Sequence, residues 1–264
     1  MGEPMRWCRV PTELGPSFGI IDEDHVGIVD GSPFGEWRRT QRRIALSATR
    51  LLAPVIPPTF YAIGSNYRSH VVKMAEAFGR KPVFYERPRV GYRANSALIG
   101  DGDCIVKPAD ASDEFQYEAE LVAVVGKTVK NVSREEAGDC IFGWTIGNDV
   151  SERVWQAKDQ TNIRAKNSDT FKPMGPWIAQ GADPADMRTR VTINNELVHD
   201  FATGDMLFDA ADVICEISKY NTLSPGDVVW LGTDGRPRNL KPGDDIEIEI
   251  TGIGTLRNRV VAAA

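Results

Sequence analysis

Apolar residues run without interruption through Leu121-Val122-Ala123-Val124-Val125 and stop at Gly126, while Tyr117-Glu118-Ala119-Glu120 before them alternate apolar and acidic. A short run of β-branched and small apolar residues closed by glycine predicts a buried strand over 117–126. Side chains alternate across a strand, so Glu118 and Glu120 point the same way, as do Val122 and Val124. A second run, Phe142 to Asn148, predicts another core strand and ends at Asp149.

The rest of the pattern is mostly β with a few helices. Trp7–Val10 reads as a strand, and Phe18–Ile21 and Val26–Val29 flank a hairpin turn at Asp22-Glu23-Asp24-His25, with Gly31-Ser32-Pro33 closing the unit. Leu51 to Pro58 is marked by prolines, which resist helix, and the domain boundary is placed there: a small β domain over 1–57 and a larger domain over 58–264. Val71, Met74, Ala75 and Phe78 fall at helical spacing after His70, which predicts a short amphipathic helix entered at His70. Residues 79–113 are rich in Arg, Gly and Pro and read as a loop or lid with a strand near 104–106. Ser133-Arg134-Glu135-Glu136 has capping-box spacing, and Ser151 is the expected cap of a helix through Gln156. Arg190–Ile193 and Glu196–Phe201 form a hairpin around Asn194-Asn195. Asp209, with Asp212 three residues on, opens a helix to Tyr220. The pattern Leu-x-Pro-Gly-Asp occurs at 223–227 and at 240–244, each a turn feeding a strand.

Composition narrows the class. A chain of 264 residues, 42% apolar and 26% charged, buries a large core. Its net charge of −6 offers no basic footprint for nucleic acid or an anionic membrane. No apolar run approaches the ~18 residues of a spanning helix, and Met1 to Trp7 has no charged-then-apolar signal pattern. Four scattered cysteines without a CxxC pair read as reduced thiols, so the expected location is the cytoplasm.

The chemistry sits with the acids. Two carboxylates side by side on an apolar strand repel each other and need protons, cations or a metal. With Asp149 they form an all-oxygen hard-ligand set that suits Mg²⁺, Mn²⁺ or Ca²⁺ better than zinc. The alternative is an edge strand with Glu118 and Glu120 in water.

Gly64-Ser65-Asn66-Tyr67-Arg68-Ser69-His70, Tyr117 to Leu121, Gly147 to Arg153, Lys166 to Phe171, Met174-Gly175-Pro176-Trp177, Leu223 to Asp227, Gly232-Thr233 and Gly252-Ile253-Gly254 together resemble the fumarylacetoacetate hydrolase family across roughly residues 58–261. The resemblance implies a mixed α+β, predominantly β fold. Its β-roll catalytic domain follows a small N-terminal β domain. It implies a homodimer, and one Mg²⁺ or Mn²⁺ per chain held by Glu118, Glu120 and Asp149. The implied substrates are 2-oxo and β-diketo acids, as in the breakdown of aromatic carbon sources. Carried over by position, His70 is the catalytic histidine and Lys166 a cation beside the metal. Arg153, Gln156 and Thr233 would contact the substrate. In hydrolytic members the histidine works with an acid, which many members place three residues after it; here that residue is Lys73, and the next acid is Glu76. Glu76 serves as partner of His70 only if the segment is not a regular helix, because residues six apart lie on different faces. C–C hydrolysis through a metal-stabilised enolate is the first reading. Decarboxylation or keto–enol isomerisation of a 2-oxo-dioate is the second, and a non-catalytic metabolite-binding member the third. The lid over 71–100, with Arg80, Arg87, Arg89 and Arg93, is read either as a contact for a second anionic group or as a solvated basic loop.

Overall fold

The computed structural model describes residues 4–264. Strands β1 (Met5–Thr12), β2 (Gly15–Asp22), β3 (His25–Gly31) and β4 (Trp37–Ala45) form an antiparallel meander. Its last strand does not show in the hydrophobic pattern because it is polar. β4 lies at the sheet edge, and its arginines Arg38, Arg39, Arg42 and Arg43 are exposed. Charge on an edge strand blocks pairing with another chain.

The chain then passes through β5 (Phe60–Gly64), α1 (Arg68–Ala77), β6 (Arg89–Tyr92), β7 (Leu98–Ile99), β8 (Cys104–Lys107), β9 (Phe115–Gln116) and β10 (Ala119–Val125). Next come α2 (Arg134–Gly138), β11 (Ile141–Asn148), β12 (Ser151–Glu152), α3 (Arg153–Gln156), α4 (Ile163–Asn167) and β13 (Lys172–Gln180). The rest is β14 (Arg188–Ile193), β15 (Glu196–Ala202), α5 (Ala210–Ser218), β16 (Val228–Trp230), β17 (Asp245–Ile250) and β18 (Gly254–Ala262). One large sheet runs β4-β3-β2-β1-β13-β11-β10-β16-β5-β6, with β7 beside β13. A second runs β15-β14-β17-β18-β8. The N-terminal meander thus continues the large sheet. β1 pairs with β13, Trp7 opposite Ile178, and both share one sheet.

β10 lies in the middle of that sheet and is buried on both faces, which is why its sequence is a continuous apolar run rather than an alternation. Leu121, Ala123 and Val125 enter the main core with Val191, Ile248 and Leu256 of the second sheet and with Val213 and Ile217 of α5. Val122 and Val124 join Trp230, Met174 and Trp7 on the other side. Both Leu-x-Pro-Gly-Asp turns close alike: the aspartate accepts from the backbone three residues back, Asp227 from Ser224 at 2.8 Å and Asp244 from Lys241 at 2.9 Å. Gly226 (φ 88°) and Gly243 (φ 97°) take the left-handed position.

α2 and α5 carry the expected capping boxes, on Ser133/Glu136 and Asp209/Asp212. Two other helix expectations need correction. Ser151 is not a cap but part of β12; Glu152 caps α3 instead. α1 begins at Arg68, so His70 lies inside its first turn, and of its apolar residues only Val71 is buried.

β10 and β11 pair closely enough that Gly147 lies opposite Glu120, and a Cβ there would meet the Trp230 ring at 2.5 Å. Gly147→Ala is expected to destabilise the protein by about 1–3 kcal/mol through overpacking. The urea unfolding midpoint checks this, and an unchanged midpoint would mean that Trp230 yields without cost.

Candidate active site

The register of β10 against β11 places Glu120 beside Gly147, and the Asp149 amide donates to the Glu118 carbonyl at 2.9 Å. Carboxylate oxygens of Glu118, Glu120 and Asp149 all lie within 4.8 Å of one another, and all three residues are buried. An edge strand with both glutamates in water is thereby excluded.

Cations surround two of the three acids. Glu118 accepts from Arg153 at 2.6 Å and from Lys166. Burial acts to raise its pKa, but Arg153 and Lys166 outweigh burial and hold it at about 2. Asp149 accepts from Arg93 through both oxygens, at 3.0 and 2.7 Å, from Lys166 at 2.7 Å, and from Lys172 at 2.6 Å. Burial raises its pKa too, and Arg93, Lys166 and Lys172 together keep it well below the carboxylate range. Glu120 differs. Its hydrogen-bond partner is the Gly232 amide at 2.8 Å, and no cation pairs with it among the described residues. Burial, then Asp149 and Glu118, push its pKa well above the usual value. It is thus the carboxylate whose charge the protein leaves uncompensated. A hard divalent cation between the three acids would supply that compensation, and the all-oxygen donor set fits Mg²⁺ or Mn²⁺.

Lys166 stands on α4 and is buried. Arg153 is buried and bridges Glu118 to Gln116 at 2.8 Å and to Gln156 at 2.9 Å. Thr233 is buried next to Gly232, and its hydroxyl has no hydrogen-bond partner among the described residues. A buried unpaired hydroxyl costs roughly 1–3 kcal/mol, which a ligand oxygen would recover.

His70 is positioned by the turn between β5 and α1. Asn66 pins that turn, donating to the carbonyls of Phe208 and Leu231 at 2.9 and 2.8 Å, and Tyr67 donates to Thr203 at 2.6 Å. His70 Nδ1 lies 2.6 Å from the Gly235 carbonyl. A carbonyl only accepts, so Nδ1 carries the proton and neutral His70 keeps its lone pair on Nε2. Burial lowers its pKa, against the charge of Glu118. The structure does not bring Glu76 to this histidine. α1 is regular, and Glu76 is exposed on a different face.

The lid expectation also divides. Arg87 donates to Tyr220 at 2.8 Å and to Glu216; Arg80 lies over Phe78 and Arg89 over Tyr85. Arg93 alone turns inward, its side chain 9% exposed, onto Asp149. Sequence spacing does not separate it from its neighbours. Lys172 escapes the sequence reading as well, although a lysine between Phe171 and Pro173 at the start of an apolar run is a signal of a buried cation.

The chain matches the family model described as fumarylacetoacetate (FAA) hydrolase C-terminal over residues 59–261, and one described as Rv2993c-like, N-terminal, over residues 5–54. Oxaloacetate tautomerase YisK of Bacillus subtilis is 32% identical over 228 residues, 82% of this chain and 74% of its own length. Among solved structures, 5-carboxymethyl-2-hydroxymuconate delta-isomerase from Mycobacterium smegmatis has a TM-score of 0.88 at 36% identity, over 98% of this chain and 100% of that one. Maleylpyruvate hydrolase from Sphingobium sp. SYK-6, in complex with manganese (II) ion and pyruvate, has a TM-score of 0.78 at 25% identity, over 98% and 100%.

Proposed function

The chain belongs to the fumarylacetoacetate hydrolase family, and from that premise we propose a divalent-metal-dependent tautomerase that moves a proton at C3 of a 2-oxo dicarboxylic acid. The carrying observation is His70: a neutral imidazole whose Nδ1 is spent on a backbone carbonyl and which has no carboxylate partner among the described residues. Such a histidine is a weak base. It suffices for a C–H bond next to a keto group that a cation has polarised, and it is poorly equipped to activate water.

The acid triad would hold Mg²⁺ or Mn²⁺, and the bound ion would supply Lewis-acid stabilisation of enolate charge. His70 Nε2 accepts the C3 proton and returns it to the oxygen at C2. The Thr233 hydroxyl is free to donate to a substrate carboxylate. Arg153 is held by Gln116 and Gln156 and fixes Glu118 in turn. Three inward-facing cations, Arg93, Arg153 and Lys166, match the three carboxylates; Lys172, its pKa lowered by burial to about 7, adds part of a charge, and a bound divalent ion would leave the site with a positive excess. That excess favours a dianion. The Bacillus subtilis relative, an oxaloacetate tautomerase, supports the same reading.

C–C hydrolysis is the second reading, supported by the maleylpyruvate hydrolase neighbour with its manganese and pyruvate. Ultraviolet detection of enol-oxaloacetate loss, beside proton NMR of acetylpyruvate, separates the two. Tautomerisation lost on adding EDTA, with acetylpyruvate uncleaved, is the expected result. Release of acetate and pyruvate would transfer the assignment to hydrolysis.

The base also sets a pH dependence. His70 acts deprotonated, and burial places its pKa below the ordinary 6.5. The acid limb of kcat/KM is therefore expected below pH 6.5, with activity rising as pH rises through it. A limb above pH 7 would show that a different group is the base.

A further inference from the structure

The partner acid that the spacing around His70 fails to supply is present elsewhere. We propose that Asp234 is the positioning residue for His70: with Ser69 it clasps the backbone of Gly235, whose carbonyl then fixes the imidazole with Nε2 as the proton-accepting nitrogen. The inference rests on His70 being the base.

The geometry joins residues far apart in sequence. Ser69, next to His70 on α1, donates its hydroxyl proton to Asp234 Oδ1. The same Ser69 oxygen accepts from the Gly235 amide at 3.0 Å. Gly235 returns its carbonyl to His70 Nδ1 at 2.6 Å. Two neighbours on α1 and two on the loop after β16 are thus tied by three hydrogen bonds in a closed ring. Neither end can shift without breaking a bond at the other.

A third element backs the ring. His199 of β15 places Nε2 3.6 Å from Asp234 Oδ2, while its Nδ1 is buried without a hydrogen-bond partner among the described residues. The ring of Phe201 lies against it, with centroids 4.8 Å apart. Gly235 is required where it is: its φ is +64°, and a Cβ would stand 2.8 Å from His199 Nε2. Lys73, at the position expected to hold an acid, comes to 3.7 Å of that same Cβ. A carboxylate in direct contact with a catalytic imidazole raises its basicity. Asp234 acts one step removed, through a peptide group. It sets the tautomer and orientation and does not draw the full imidazolium charge. This arrangement matches a weak base for carbon acids.

The test uses the Mn²⁺- or Mg²⁺-loaded full chain with variants on both sides of the ring. Asp234→Ala and Ser69→Ala are each expected to lower kcat by about tenfold to a hundredfold, the usual effect of an outer partner, with KM and Mn²⁺ affinity unchanged. Ser69→Thr, which keeps the hydroxyl, should restore most of the loss. The deciding readout is independent of turnover. Nitrogen-15 NMR of His70 in the Mg²⁺-loaded protein should show one tautomer, protonated on Nδ1, in the parent chain. A mixture of tautomers is expected in both alanine variants. An unchanged single tautomer in both would overturn the clasp, whatever the activity. A mixed tautomer with no change in any reaction rate would leave the clasp standing and remove His70 as the base.

Discussion

Replacing Glu120 by alanine is expected to abolish divalent metal binding and turnover together. Of the three acids only Glu120 lacks a cationic partner, and its two acidic neighbours repel its charge. A bound divalent ion would allow it to ionise. Without it, Glu118 and Asp149 are already neutralised by Arg153, Lys166, Arg93 and Lys172 and attract a cation weakly. Calorimetric titration with Mn²⁺ should show an affinity lowered by more than about a hundredfold, beyond the loss typical of an outer-shell change. The sign of the stability effect is also set. A carboxyl with a raised folded pKa contributes stability below its ordinary 4.5 and loses it as pH rises through the folded value. In the metal-free protein at neutral pH, Glu120→Gln should therefore not lower the melting temperature. The parent should gain about 2.7 kcal/mol at a hundredfold excess of metal over Kd, and the variant should gain nothing. Parent-like stabilisation of the variant by Mn²⁺ would place the metal elsewhere.

His70→Ala separates chemistry from metal binding. The imidazole bonds to the Gly235 backbone and to none of the three acids. Metal affinity is accordingly expected to persist, while tautomerisation slows by about 10²–10⁴-fold, the range of a lost general base. C–C hydrolysis of acetylpyruvate, if the enzyme performs it, should be lost in the same variant. Decarboxylation of oxaloacetate removes no proton from carbon and should survive. Undiminished tautomerisation by the variant, measured on enol-oxaloacetate, would remove His70 from the mechanism.

The sequence shows most clearly what strand periodicity can carry. Glu118 and Glu120 are two residues apart at the head of an apolar run, Glu120 on β10 and Glu118 just before it, and Asp149 directly follows β11. Local hydrogen-bond signals found the caps at Ser133 and Asp209 equally well. Polarity hid β4, because an edge strand facing water has no apolar alternation to display. Tertiary approach hid the remaining site residues. Arg93 is one of several arginines in its stretch, and only the path from β6 to β7 turns it toward Asp149. Asp234 lies 164 positions from His70 in a Gly-Thr-Asp-Gly turn that reads as an ordinary loop. Glu76, six residues along the chain from His70, is the nearest acid that follows it in sequence, yet it is exposed on another face of α1.

The pairing of β1 with β13 has a consequence for the order in which the chain is made. Trp7 Nε1 donates to Gln180 across 173 residues, at 2.9 Å. A ribosome delivers the first four strands early, and their meander can close on itself once residue 45 has emerged. Arg9 finds Leu52 nearby, but the Met5–Trp7 part of the inner edge of β1 then waits, unpaired, until residues 178–180 arrive. An open strand edge is a template for the wrong partner, and a contact this distant in sequence forms slowly. The interval between the synthesis of Thr12 and that of Gln180 is when the nascent chain is most exposed to misassembly.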